Sequence, residues 1–226
     1  MNLQEFHSTV DYVEALVKCI EEVCDSQEVV HIALSGGNTP RPLYQALAQN
    51  QNIDFGKVEF WMIDERYVPA SSEYSNQKMI RATLVDPLAE RLRGFHYFDT
   101  SLSMEKALDK YREELDEIGE LDVCILGIGT DGHTASLMVG QKSVLNETDL
   151  VLQADNPYDP TPPVRQRLTL GWKAIMHSRK LLLLASGEKK KQVISELLDK
   201  ECSVKNFPAK RLLEHPDISI FFNRYE

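Results

Sequence analysis

Asp131-Gly-His133 is the stretch best equipped for chemistry. A histidine ordinarily titrates near neutral pH, so it can take a proton and return it within one reaction. This one follows the apolar run Val123-Cys-Ile-Leu126 and the turn Gly127-Ile-Gly-Thr130, which presents it just past a strand end. A nearby carboxylate would set its tautomer, and two are candidates: Asp131 itself and Asp64 of Asp64-Glu-Arg66. That second segment places three charged residues between the apolar Trp61-Met-Ile63 and Tyr67-Val-Pro69, where a merely solvated ion pair would add little. His7, His31, His96, His177 and His215 have no comparable setting and read as structural.

Other segments suit an anion. Ser35-Gly36-Gly37-Asn38-Thr39 joins a strand to a helix, so its glycines let backbone N–H groups and a positive dipole end approach a phosphate. It lacks the lysine of a nucleotide-binding P-loop, which argues against a nucleoside triphosphate. Arg167 stands in Arg165-Gln-Arg-Leu-Thr-Leu170 after a proline-rich stretch, where it reads either as an exposed charge or as an anion ligand. Lys189 and Lys190 follow Ser186-Gly-Glu188 in the expected first turn of a helix, an unfavourable place for cations unless an anion sits there.

Gly127, Gly129 and Gly132 have the G-x-G-x-x-G spacing of a dinucleotide-binding turn. That motif also needs an unbroken crossover helix and an acid about 20 residues further on. Asp155 could supply the acid, but Gly140 and Val144-Leu-Asn146 interrupt any such helix, and a histidine inside a pyrophosphate turn has no purpose. The glycines are better read as serving His133.

The elements that must carry these loops alternate. Helices are expected at Ser8–Cys24 (apolar stripe Val10, Val13, Leu16, Val17, Ile20, Val23; cap Ser8 or Thr9), Arg41–Gln49, about Ser75–Leu84, Met104–Ile118 and Glu188–Asp199. Strands are expected at Val29–Leu34, Val58–Ile63, Val123–Leu126, Leu150–Ala154, Leu181–Ala185 and Ile218–Phe222. Leu168–His177 reads as mostly helical, and Asn156–Pro163 as a loop. Together they predict one α/β domain over residues 1–226: a doubly wound, largely parallel sheet with helices on both faces, Rossmann-like. Ligands of such sheets bind beyond the carboxyl ends of the strands, so the four loops should converge there.

Composition narrows the class. The 226 residues carry 25 Lys+Arg against 35 Asp+Glu, a formal charge of −10, which argues against nucleic acid and anionic membranes as partners. A small anionic substrate would then need a local cluster of cations and N–H groups. No apolar run is long enough to cross a bilayer, and the start lacks the pattern of a signal peptide, so a cytoplasmic location is expected. Cys19, Cys24, Cys124 and Cys202 show no metal-type spacing and read as reduced structural thiols.

At these motifs the sequence resembles the 6-phosphogluconolactonase family, whose wider group shares its fold with glucosamine-6-phosphate deaminase and ribose-5-phosphate isomerase. The matching segments are LSGGNTP, DERYVP with Ser75-Asn76, GIGTDGHTASL, QRLTL, SGEKKKQVI and FPAKRLLEHPDISIFF. The deaminases carry a glutamate five residues after the histidine, where this chain has Met138, and a tyrosine where Arg66 stands. Lactonases usually have an aromatic residue and a proline where this chain has Met138-Val139.

The resemblance implies hydrolysis of 6-phospho-D-glucono-1,5-lactone, with His133 activating water and Asp131 or Asp64 orienting it. Arg66 or backbone N–H groups would hold the oxyanion. The Ser35–Thr39 loop, Arg167 and Lys190 (in preference to Lys189) would hold the phosphate. It implies no metal and no cofactor, with a monomer or weak homo-oligomer as the working form. No serine or cysteine stands in a nucleophile elbow, so no acyl-enzyme is expected. The rival readings are a sugar-phosphate isomerase or deaminase of the same fold and a non-catalytic sugar-phosphate sensor.

Overall fold

A computed structural model describes residues 2–157, 162–199 and 203–225. Seven parallel strands form the main sheet: β1 (Asn2–Phe6), β2 (Val30–Leu34), β3 (Val58–Met62), β5 (Gly94–His96), β6 (Val123–Gly127), β9 (Lys180–Ser186) and β10 (Ile218–Asn223). Their spatial order is β1-β10-β9-β6-β2-β3-β5. Leu181 to Ala185 of β9 are all buried, so neither face of the sheet centre meets water. The chain runs outward from β2 to β3 and β5, then returns to β6 on the other side of β2 and continues through β9 to β10. The order therefore reverses between β2 and β6, the place where parallel sheets open a crevice.

The helices are α1 (Thr9–Asp25), α2 (Arg41–Gln49), α3 (Asn76–Ile80), α4 (Asp86–Leu88), α5 (Met104–Ile118), α6 (Pro162–Arg165), α7 (Trp172–His177) and α8 (Lys189–Leu198). Ser8 caps α1 by accepting from the Asp11 N–H. The face that α1 buries is the i, i+4 row Tyr12, Leu16, Ile20 and Cys24, while Val10 points to solvent. The expected stripe was thus rotated toward Val10: Tyr12 and Cys24 complete the inward row. α3 passes through a wide turn at Arg81–Val85 before α4, so the expected helix to Leu84 is not uniform.

Four strands depart from the sequence reading. β1 and β5 lie at the two sheet edges and are short and partly exposed, so neither carries a strong apolar signal. The third is β8 (Gln166–Leu170), where Leu168–Leu170 was expected to be helical; only Trp172–His177 beyond it is. β8 is a strand because it finds partners on both sides. It pairs antiparallel with β4 (Asp64–Arg66) and β7 (Val151–Asp155), forming a second, three-stranded sheet. Asp64-Glu-Arg66 is accordingly a strand, not a loose loop. Of the expected loop Asn156–Pro163, residues 158–161 lie outside the described residues, and Pro162 begins α6; Cys202 also lies outside them.

Candidate active site

The loops after β2 and β6 meet the small sheet over the point where the strand order reverses, and between them lies a cavity of about 360 Å³. Ser35 to Thr39 form one wall, and Asp64, Arg66, Asn76 and Arg167 another. Gly127, Gly129, His133, Ala135 and Met138 close it. The expected convergence is present, with one exception treated below.

His133 is held from its ring and its backbone by one carboxylate. Asp131 Oδ1 lies 2.5 Å from His133 Nδ1 and accepts from the His133 N–H at 3.2 Å. Half-burial alone would raise the Asp131 pKa, but the hydrogen bonds and charge of His133 outweigh it and hold the carboxyl below its ordinary range. With Nδ1 engaged, Nε2 is the ring atom left for substrate, on a side chain 30% exposed. A Cβ on Gly129 would collide with both the His133 ring and the Asp131 carboxylate. The middle glycine of the G-x-G-x-x-G spacing is therefore room for this pair. Gly132 has φ of 83°, a left-handed turn that glycine makes without strain, and its Cα packs against the Phe207 ring.

Asp64, the other candidate for the imidazole, is committed elsewhere. It is 8% exposed; Oδ1 accepts from Asn76 Nδ2 at 3.0 Å and Oδ2 from Ser136 Oγ at 2.6 Å. It ties β4 to the segment after His133. Ala135 in that segment has φ of 51°, an unfavourable conformation for a residue with a side chain and one found at sites the surroundings over-determine.

The strand pairing brings two cations together. Arg66 on β4 is the register partner of Arg167 on β8, and both line the cavity. Arg167 is only 5% exposed. Two cations lining one cavity make it attractive to an anion. Arg66 Nε and Ser35 Oγ are buried without a hydrogen-bond partner among the described residues. On the facing wall, the N–H groups of Gly36, Gly37, Asn38 and Thr39 donate to no protein group among the described residues. A run of such N–H groups in a turn, a nest, is suited to an anion. Tyr44 of α2 steadies this turn by donating to the Ser35 carbonyl at 2.7 Å.

Lys190 is the exception. Its ammonium donates to the Ile128 carbonyl at 2.5 Å and is not part of the cavity wall; Lys189 is exposed. Burial lowers the Lys190 pKa, partly offset by the charge of Asp131. Its place in the first turn of α8 lets it reach back under the loop bearing His133, so it braces that loop.

Two residues without an assigned role in the sequence reading support the site. Glu65, 1% exposed, accepts from the N–H groups of Arg66, Asn76 and Gln77 and from Ser75 Oγ, between 2.7 and 2.9 Å. It caps α3 and fixes β4 against it. Asn76 bonds both Asp64 and Arg66. Nothing in the spacing of Glu65 separates it from a solvated acid; only the cap reveals it.

Fold and site together define an α/β protein that presents a histidine–carboxylate pair, two arginines and a turn of free N–H groups at the turning point of a parallel sheet. The chain belongs to the family described as glucosamine-6-phosphate isomerases/6-phosphogluconolactonase, whose model matches residues 6–220. It is 35% identical over 191 residues to 6-phosphogluconolactonase of Thermotoga maritima, covering 84% of each chain. The crystal structure of 6-phosphogluconolactonase from that organism superposes with a TM-score of 0.83 at 30% identity over 99% of both chains. The chain is also 30% identical over 210 residues to glucosamine-6-phosphate deaminase 1 of Giardia intestinalis, covering 87% of this chain and 79% of that one.

Proposed function

We propose that this protein hydrolyses 6-phospho-D-glucono-1,5-lactone to 6-phospho-D-gluconate, the second step of the oxidative pentose phosphate pathway, in the cytoplasm. The observation that carries the reading is that the His133–Asp131 pair shares one cavity with the register partners Arg66 and Arg167. A proton-transfer group and a dianion site separated by one small cavity fit a sugar ester with a phosphate at its far end.

In this reading the Ser35–Thr39 nest and Arg167 take the phosphate. His133 removes a proton from water as its oxygen bonds to the lactone carbonyl carbon. The bond from that carbon to the ring oxygen then breaks, and the imidazolium returns the proton to the departing oxygen. Water is the only co-reactant and the protons balance. The Arg66 guanidinium, or a backbone N–H group, meets the developing oxyanion, where removing one such donor typically costs about 10²- to 10³-fold in rate. Asp131 holds the ring in the useful tautomer and favours its charged form.

Met138 separates this chemistry from deamination. It is buried against the cavity at the position the resemblance gives to the deaminase glutamate, and a thioether relays no proton. The deciding experiment is a lactonase assay without metal or cofactor, corrected for spontaneous opening of the lactone. Acid release well above that background is expected, with no ammonia or fructose 6-phosphate from glucosamine 6-phosphate. The reverse pattern overturns the proposal in favour of the deaminase.

A further inference from the structure

We infer that Asn76 is a positioning residue that aims Arg66 into the cavity without neutralising it; this rests on Arg66 facing the substrate as proposed above. Asn76 opens α3, is 2% exposed and lines the cavity. Its amide is locked from three directions. Nδ2 donates to the Asp64 carbonyl and to Asp64 Oδ1, both at 3.0 Å. Oδ1 accepts from an Arg66 terminal nitrogen. The side chain fills the space that a Cβ on Gly36 would need. One amide thus joins the β4 arm, the nest and the guanidinium.

The partners dictate the residue type. The side facing Asp64 must donate and the side facing Arg66 must accept, which a carboxamide does with one planar group. With that nitrogen held by Asn76 and by the Tyr74 carbonyl at 3.1 Å, the Arg66 guanidinium is fixed rather than swinging. A carboxylate at this position would also hold Arg66, but it would spend the positive charge that an anionic substrate needs. A neutral acceptor leaves that charge available.

The test is a double-mutant cycle with the lactone as substrate, using Asn76→Ala, Arg66→Ala and the double variant. N76A is expected to lose about 10- to 100-fold in kcat/KM, the scale of one lost charge-assisted bond. The double variant should match R66A within about twofold, because the amide acts only through the guanidinium. Multiplying losses, or an N76A within about threefold of wild type, overturn the positioning role. An unimpaired R66A would instead overturn the placement of Arg66 itself, so the two failures are distinguishable. If N76A does not fold, Asn76→Ser, which withdraws the amide from Arg66, runs the same cycle with the same outcomes. Asn76→Asp, which keeps the hold on Arg66 but offsets its charge, should lower kcat at least tenfold with a smaller change in KM; an unchanged kcat counts against the inference.

Discussion

Arg66 and Arg167 stand directly opposite one another on adjacent antiparallel strands, both turned toward the same cavity. Two cations on the lining of one cavity would attract an anionic substrate there. Arg167→Ala should raise KM by about 10- to 100-fold with a smaller effect on kcat, measured by initial rates across substrate concentration. An unchanged KM would remove Arg167 from the phosphate site.

The same relationship predicts a ligand effect on stability without any turnover. Inorganic phosphate should raise the Tm of the wild-type protein in proportion to the logarithm of its concentration once above Kd. Arg167→Ala should lose most of that increment at matched ionic strength. Equal shifts in both proteins would point to a general salt effect.

His133→Asn should remove nearly all catalysed hydrolysis while leaving Tm close to wild type, since the side chain is partly exposed and supports no core packing. Asp131→Asn should cost less, about 10- to 10³-fold in kcat, because it disturbs the ring without removing it. The acid dependence of stability has a defined sign. The Asp131 pKa is lower in the folded chain than in the unfolded one, so its contribution is present above the ordinary carboxylate range. It disappears as pH falls through the lowered folded value. The Tm gap between wild type and D131N should therefore close in acid, as followed by thermal melts over a pH series.

Gly129→Ala should damage catalysis far more than stability. Its methyl group meets the His133 ring and the Asp131 carboxylate, which can move into the cavity more easily than backbone can. A loss of at least about tenfold in kcat is expected from displacing a general base. Wild-type kcat in G129A would show that the pair tolerates displacement.

Glu65→Gln should destabilise without entering the chemistry. The carboxylate faces four donors, and an amide nitrogen in its place turns one acceptor into a fifth donor. The cost should be about 2–4 kcal/mol, read as a lower midpoint in denaturant titration with an unchanged slope. A midpoint equal to wild type would remove Glu65 from its role as the α3 cap.

What the chain declared on its own were the features carried by local pattern. The apolar runs of β2, β3, β6 and β9, β-branched, aromatic or leucine-rich, announce buried parallel strands. Ser8 announces the start of α1, and the Ser35–Thr39 and Asp131–His133 turns mark the strand ends where chemistry belongs. Those signals depend on neighbours within a few residues, so no tertiary contact is needed to read them. Arg167 shows the limit. As sequence it sits just before a stretch of helical appearance, and it becomes a cavity-lining cation only because β4 and β7 recruit Gln166–Leu170 as a strand between them. The partition between Asp131 and Asp64 is decided the same way. Both are acids near a histidine in the chain's logic, yet Ser136 and Asn76 claim Asp64 from across the fold and leave the imidazole to Asp131. Lys190 could be placed by helix position but not by target, since the Ile128 carbonyl reaches it only when α8 packs beneath the histidine loop. Local propensity can name the groups able to react. Which of them touch is set by pairing energies between segments up to a hundred residues apart, and these exist only in the folded chain.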